Sequence, residues 1–229
     1  MPLPWEPGPC SSGLDAPVAD WTFDCRRAVR HLKTSDPALG AIITNVGPFV
    51  MELKTSRSLF GALAEAIVYQ QLSTKAAATI YGRLEALFPR SIGGFTPRDI
   101  LQTPVDKLRG VGLSAAKVLA LHDLARRVDN QELPTLQQAN ELEDAVLIER
   151  LVQVRGIGRW SAEMFLMFRL GRPDVLPLDD YSLRKAYAAA FGKRQLPAPR
   201  TLERHGEKWR PYRTVASWYL WRTLDLTDK

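Results

Sequence analysis

The feature that most constrains the fold is a glycine turn set between two apolar segments of helical spacing. Apolar residues recur at helical spacing over residues 147–152 and again over 162–170, which predicts two helices. Gly156 and Gly158 lie between them, and glycine allows a positive φ and the close approach of another backbone. Gly171 and the proline two residues later end the second helix. The stretch therefore predicts a helix, a tight turn and a second helix.

A glycine turn that opens a helix is a candidate anion site. The first N–H groups of a helix have no partner within it, and together with the positive end of the helix dipole they favour an anion. Gly156 and Gly158 also lack the side chains that would keep a polyanion away. A nucleic-acid phosphate would suit this turn. The Gly-x-Gly pattern alone favours the alternative, an ordinary helix–helix turn with a glycine cap.

The rest of the chain also shows helical spacing, and no strand-like alternation of any length occurs, so we predict an all-α fold. Ser114 is a good N-cap for the helix that follows it, and Pro211 suits the first position of the last helix. Residues 129–140 are polar and contain a proline, which predicts a loop. The other predicted helical segments are 20–33, 36–43, 58–70, 74–88, 96–105 and 181–191.

The charge balance suits a polyanionic partner without proving one. The 229-residue chain has a formal net charge of +6 and a pI of about 9.5. From residue 181 onward, eleven Lys and Arg residues stand against four Asp and Glu.

Cys10 and Cys25 give no disulfide framework or metal cluster, which suggests a reducing compartment. No long apolar run and no basic-then-apolar leader occurs, so we expect no membrane span and no secretion signal.

The glycine turn and the segment after it resemble the helix-hairpin-helix DNA glycosylase superfamily. The resemblance is carried by residues 154–162 (Val-Arg-Gly-Ile-Gly-Arg-Trp-Ser-Ala) and 176–181 (Leu-Pro-Leu-Asp-Asp-Tyr). Gly158 and Asp180 lie 22 positions apart, which is similar to the family's spacing from hairpin to catalytic aspartate. The sequence is most similar to the alkylated-base branch, the DNA-3-methyladenine glycosylase II type, over nearly the whole chain.

The resemblance implies a helix-hairpin-helix glycosylase domain over residues 20–229, with two helical subdomains that flank an active-site cleft. One subdomain would comprise residues 57–178, and the other 20–56 together with 179–229. Residues 1–19 are rich in Pro, Gly and Ser and are expected to form a flexible N-terminal arm.

Asp180 is the residue that the resemblance favours for catalysis. One carboxylate can stabilise an oxocarbenium-like sugar and act as the general base for a water molecule. Asp179 is the rival, and it could instead cap the helix that follows.

Trp160 and Trp221 fall where relatives line the pocket for the flipped base with tryptophan. Aromatic faces recognise a cationic base, at about 0.5–2 kcal/mol per contact, although core packing is the alternative for any Trp. Met164, one turn after Trp160, stands where relatives have an aromatic residue, which alters the pocket.

Bifunctional relatives carry a lysine at the position of Trp160 and form a Schiff base with it. We therefore predict a monofunctional glycosylase that leaves an abasic site.

The resemblance also predicts DNA contacts in two places. Gln70 and Gln71 match the loop from which relatives insert a side chain into the minor groove to fill the gap left by an extruded base. Gln71 would be this wedge, with Gln70 beside it, and a polar helix–helix turn is the alternative. The contacts predicted at the hairpin are Arg155, Gly156, Ile157, Gly158, Arg159 and Ser161.

A second glycine turn, residues 109–113, echoes the first. No acidic pair follows it, so we predict that it serves packing. The alternative is a phosphate contact through Ser114 or Lys117.

Hydrolysis needs no redox group or nucleotide, so we predict that no cofactor is required. Relatives hold a monovalent cation with hairpin carbonyls, which by position would be those of Val152, Val154 and Ile157. Arg155 stands where many of these relatives have proline.

The expected partner is double-stranded DNA with alkylated bases such as 3-methyladenine, bound by a monomer during base excision repair. The expected location is the bacterial nucleoid or the eukaryotic nucleus. One alternative is a lesion-binding helix-hairpin-helix protein without catalysis. Another is a glycosylase of the same fold for mismatched or deaminated bases. Neutral bases are poorer leaving groups and would call for polar pocket contacts, so the aromatic candidates favour cationic lesions.

Overall fold

The computed structural model describes residues 21–89 and 94–227. Over these ranges the chain is helical without strands, which confirms the predicted all-α fold. The predicted N-terminal arm lies outside the described residues. No helix in the described ranges is long and apolar enough to cross a membrane. The α-helices are α1 (Cys25–Ser35), α2 (Pro37–Val46), α3 (Leu59–Tyr69), α4 (Thr74–Ala86), α5 (Pro97–Gln102), α6 (Val105–Gly110), α7 (Ala115–Asp129), α8 (Leu136–Glu141), α9 (Asp144–Leu151), α10 (Arg159–Phe168), α11 (Tyr181–Ala190), α12 (Pro199–Gly206) and α13 (Arg213–Thr227).

The described chain forms two compact units. The first unit contains residues 21–54 and 166–227, and the second unit contains residues 55–165. The chain therefore leaves the first unit after α2, builds the second unit from α3 to most of α10, and returns.

The return point differs from the sequence division, which assigned residues 166–178 to the other subdomain. Hydrogen bonds explain why this segment belongs to the first unit. The Phe168 carbonyl accepts from the Lys54 N–H at 2.9 Å, and the Arg172 carbonyl accepts from the Thr214 hydroxyl at 2.6 Å. These bonds satisfy backbone groups at the end of α10.

Helices α3 and α7 pack together in the core of the second unit. Leu63 and Ile67 of α3 and Leu121 of α7 are buried there, on the apolar faces that helical spacing predicts. Ser114 caps α7 because its hydroxyl accepts from the Lys117 N–H at 3.3 Å, which confirms the predicted cap.

The second glycine turn packs against α4. Gly112 has a φ of 107°, which favours glycine, and a Cβ placed on it would lie 3.1 Å from Cγ1 of Ile80. The turn therefore needs glycine both for its conformation and for its approach to α4.

The predicted loop over residues 129–140 is partly wrong, because α8 begins at Leu136. Thr135 and Gln138 form a capping box. The Thr135 hydroxyl accepts from the Gln138 N–H at 3.2 Å, and the Gln138 side chain accepts from the Thr135 N–H at 2.9 Å. These two bonds stabilise a short helix despite the polar composition.

Pro211 does not open the last helix, which begins at Arg213. The Tyr212 N–H donates to the Trp209 carbonyl at 2.8 Å, so the preceding turn continues past the proline.

Asp36 is a buried polar centre of the first unit, with 2% exposure. Its Oδ1 accepts from the Leu39 N–H and so caps α2, while its Oδ2 accepts from Nε1 of Trp209 at 2.9 Å. Nε2 of His205 lies 2.8 Å from the same Oδ2. Burial alone would raise the pKa of Asp36, but the bonds from Trp209 and His205 outweigh burial and lower the pKa.

Replacing Asp36 with alanine should lower the free energy of unfolding by about 2–4 kcal/mol, because buried donors lose their acceptor and α2 loses its cap. Urea unfolding measures this loss. Asp24→Ala is the matched control, since Asp24 caps α1 from an exposed position by accepting two backbone N–H groups. It should cost less, and equal losses would show that the buried donors to Asp36 contribute nothing.

Candidate functional site

Backbone hydrogen bonds fold a tight turn between α9 and α10. The Ile157 N–H donates to the Val154 carbonyl at 3.0 Å. Helix α10 begins at Arg159, and a helical bond runs from the Ala162 N–H to the Gly158 carbonyl at 3.1 Å. The N-terminus of α10 therefore follows the turn directly, which is the arrangement that an anion site requires.

The two glycines of this turn differ in conformation. Gly156 has a φ of 81°, in the left-handed region that favours glycine. Gly158 has no positive φ, so of the two glycines only Gly156 uses the conformation that glycine allows. A Cβ placed on Gly158 would meet nothing within 4 Å, so the space beside it is open. Glycine at 158 therefore leaves the backbone accessible without being needed for the turn itself.

Most of the predicted hairpin contacts are at the surface. Ile157 is an exception, because its side chain is buried and only its backbone could meet a ligand. Nε of Arg159 donates to Oε1 of Glu163 at 3.0 Å, yet the Arg159 side chain is 65% exposed and can reach an external anion. The exposed members are Arg155, Gly156, Gly158 and Arg159, and Ser161 is half-buried.

Asp123 of α7 anchors the turn, although the sequence analysis did not identify it. Its Oδ2 accepts from the Arg155 N–H at 2.9 Å, and its two oxygens also accept from Arg126 and Arg127. Burial alone would raise the pKa of Asp123, but the Arg155 N–H and the two guanidinium groups lower it. The Arg155 N–H donates within the protein, so any contact with DNA would involve its side chain.

The carbonyls predicted to hold a monovalent cation, those of Val152, Val154 and Ile157, belong to this turn. Carbonyl oxygens are ligands that hard cations accept, so the donor type fits. The Val154 carbonyl accepts from the Ile157 N–H, and a carbonyl has a second lone pair for an ion. The cation stays a prediction.

The predicted wedge loop contacts the same turn within the second unit. Nε2 of Gln70 donates to the Gly156 carbonyl at 2.9 Å and to the Ser161 hydroxyl at 3.4 Å. The structure therefore gives the Gln70 side chain bonds inside the protein, and its predicted contact with DNA stays a prediction. Gln71 is exposed and has a φ of 57°, which is uncommon for a residue with a side chain.

Asp180 lies in the first unit and begins α11. It is 5% exposed, and its Oδ1 accepts from the Leu183 N–H at 2.5 Å and from Nε1 of Trp221 at 3.2 Å. Asp179 is exposed. The structure thus corrects the suggestion that Asp179 caps the helix, because Asp180 is the N-cap of α11. Two donors on one oxygen fix the orientation of the Asp180 carboxylate.

The three residues predicted for the base pocket differ in burial. Trp221 is 1% exposed and stacks on Phe168, with ring centroids 6.2 Å apart. The structure thus adds a supporting role for Trp221, as a donor to Asp180. Trp160 is half-buried and Met164 is buried, one turn apart on α10. Their shared place in a base pocket stays a prediction.

Comparison with known proteins reveals the chain's family. The family model for the HhH-GPD superfamily, base excision DNA repair proteins, matches residues 64–211, which include the wedge loop, the glycine turn and Asp180. The chain belongs to this superfamily.

Relatives within the HhH-GPD superfamily align over most of their length. The chain is 35% identical over 208 residues to DNA-3-methyladenine glycosylase 1 of Schizosaccharomyces pombe, across 88% of this chain and 89% of the relative. The solved structure of the S. pombe 3-methyladenine DNA glycosylase in complex with abasic DNA is 35% identical, with a TM-score of 0.77 over 89% of this chain and 98% of that one. The Bacillus halodurans DNA-3-methyladenine glycosidase is 33% identical, with a TM-score of 0.79 over 88% and 90%.

In this HhH-GPD chain, Asp123 could not be identified from the sequence, and Lys117 was predicted only as an alternative phosphate contact. Both belong to α7, and both make polar bonds to residues far away in the sequence. The available signal was the second glycine turn, because this turn and the N-cap Ser114 fix where α7 starts and thus which of its side chains face the wedge loop.

The two glycines of the turn should respond differently to alanine. Gly156→Ala should lower the free energy of unfolding by about 1 kcal/mol, because alanine is strained at a positive φ. Gly158→Ala, which meets no steric conflict, is the matched control and should change stability little. Urea unfolding of both variants measures the difference, and equal losses would contradict the conformational assignment.

Proposed function

We propose that this protein is a DNA-3-methyladenine glycosylase that hydrolyses the N-glycosylic bond of alkylated purines after base flipping and leaves an abasic site. The observation that carries the proposal is the oriented Asp180 carboxylate at the start of α11, in a chain that is 35% identical to a DNA-3-methyladenine glycosylase over most of its length. Membership of the base excision DNA repair superfamily agrees with it.

The proposed chemistry needs little activation of the leaving group. An alkylated purine such as 3-methyladenine is cationic, so it leaves readily once the bond to the sugar stretches. The sugar then acquires oxocarbenium character, and a fixed carboxylate stabilises this charge and orients the attacking water. Asp180 meets the requirement for a fixed carboxylate, because Leu183 and Trp221 hold one of its oxygens.

The target base must leave the duplex before Asp180 can act on its sugar, at a cost of a few kcal/mol. We assign the wedge that compensates for the extruded base to Gln71, which is exposed at the end of α3. Phosphate contacts are assigned to the glycine turn and to the N-terminus of α10, where Arg159 supplies an exposed cation. Trp160 is assigned to stacking on the cationic base.

The proposed partner is double-stranded DNA with alkylated bases, bound by a monomer, and the proposed location is wherever genomic DNA is held. The proposed hydrolysis requires no redox group or nucleotide. A monovalent cation at the carbonyls of Val152, Val154 and Ile157 would add positive charge near a phosphate, and no chemical step depends on it.

The first experiment is release of bases from methylated duplex DNA. Asp180→Asn should slow the release of 3-methyladenine by at least about a hundredfold, because the charge opposite the oxocarbenium is lost. Asparagine can still cap α11, so folding and binding to abasic DNA should persist. Asp179→Asn is the matched control and should release bases at the wild-type rate. Equal rates for wild type and Asp180→Asn would overturn the assignment.

A second experiment tests whether the enzyme is monofunctional. Trp160 has no amine and cannot form a Schiff base with the sugar, so borohydride should trap no covalent complex with damaged DNA during turnover. A bifunctional glycosylase with its own substrate serves as the positive control. A trapped adduct on this chain would mean that another amine attacks the sugar.

A further inference from the structure

Lys117 of α7 binds the end of the helix that carries the wedge loop. Its Nζ donates to the Val68 carbonyl at 2.5 Å and to the Gln70 carbonyl at 2.9 Å. These carbonyls lie at the C-terminus of α3, where the helix dipole and the unsatisfied carbonyls favour a cation. The ammonium group therefore fixes the backbone immediately before Gln71.

A second contact fixes the same residue from the other side. The Gln70 side chain donates to the Gly156 carbonyl and to the Ser161 hydroxyl, which belong to the glycine turn and to α10. Gln70 is thus held through its carbonyl by α7 and through its side chain by the turn. These contacts join the wedge loop to the proposed phosphate-binding turn within one unit.

Gln71 has a backbone conformation that needs such support. Its φ of 57° is disfavoured for residues with a Cβ by about 1–2 kcal/mol, so the surrounding contacts must maintain it. The exposed Gln71 follows directly after the doubly anchored Gln70.

The second glycine turn explains how Lys117 reaches the loop. Gly112 approaches α4 closely, and Ser114 caps α7 through the N–H of Lys117 itself. The turn and the cap therefore set the position from which the Lys117 side chain extends to α3. Lys117 is half-buried, and its two bonds to carbonyls of α3 and of Gln70 are contacts within the protein.

We propose that Lys117 and Gln70 are positioning residues that hold Gln71 in its left-handed conformation, so that the Gln71 side chain can replace an extruded base. The inference rests on the proposed function for its substrate, a duplex with a flipped base. It adds two residues that act through the wedge and not on the sugar or on the base.

The test is a double-mutant cycle on base release under single-turnover conditions. Lys117→Met and Gln71→Ala should each slow release from paired DNA by about ten- to a hundredfold, because a misplaced group loses its effect. The double variant should be no slower than Gln71→Ala alone, since Lys117 has nothing left to position. The proposal would be overturned if the double variant were slowed by the product of the two single effects, or if Lys117→Met kept the wild-type rate.

A change of DNA substrate separates positioning from general loss of structure. A strand with a single methylated adenine is annealed opposite thymine or opposite an abasic site. Extrusion of an unpaired base costs less, so Lys117→Met should recover most of its rate opposite the abasic site. A loss that is equal on both substrates would overturn the proposal, because it would indicate damage beyond the wedge.

Two further variants complete the test. The first is a control for the loss of a lysine charge, and the second tests the role of Gln70. Lys107→Met removes an exposed lysine of α6 in the same unit and should keep the wild-type rate. Gln70→Glu has nearly the same shape but places a carboxylate against the Gly156 carbonyl, so it should reproduce the defect of Lys117→Met. A wild-type rate for Gln70→Glu would remove Gln70 from the proposal.

Binding experiments distinguish failure of this inference from failure of the proposed function. If the wild type releases no base, the proposed glycosylase activity fails. The same cycle is then measured as the Kd for a duplex that contains an abasic site. Weaker binding by Lys117→Met and Gln71→Ala that is equal and not additive would still support positioning, whereas additive losses would overturn it.

Discussion

Backbone groups left unpaired at helix ends determine the local structure of the candidate site. Each end must find a partner, since a buried orphan N–H or carbonyl is costly. The Asp180 carboxylate accepts a hydrogen bond from the Leu183 N–H at the start of α11. Lys117 donates to carbonyls at the end of α3. The residues assigned to chemistry and to positioning therefore also satisfy backbone groups at helix ends. A substitution that removes the capping oxygen of Asp180 or the ammonium group of Lys117 should therefore alter local structure as well.

The features that could be predicted from the sequence are those that depend on neighbouring residues in the chain. Apolar spacing locates most helices because each helix buries one face, as α3 does with Leu63 and Ile67. Caps are local too, so Ser114 could be identified from its position before α7. The glycine turn was predicted because glycine residues interrupt helical spacing. The candidate catalytic aspartate came from resemblance, since nothing local distinguishes Asp180 from Asp179.

The contacts that organise the site could not be predicted in this way, because they join distant positions. Lys117 and Gln70 are 47 positions apart, and Asp123 and Arg155 are 32 apart. A single polar side chain leaves no periodic pattern that would reveal such a partner. The difference in conformation between Gly156 and Gly158 could not be predicted for a related reason. The sequence shows that glycine is present, but only the backbone shows that Gly156 alone adopts a positive φ.

In the proposed reaction, the hydrogen bonds of Asp180 would favour electrostatic stabilisation as the larger contribution of its carboxylate. Oδ1 already accepts from the Leu183 N–H and from the Trp221 indole, and a carboxylate oxygen has two lone pairs. Both hydrogen bonds to that oxygen serve the local structure of α11. Both donors stabilise negative charge on the carboxylate, which is the charge that opposes an oxocarbenium. Such a site suits a substrate whose base is already a good leaving group, because the protein then needs to stabilise mainly the sugar.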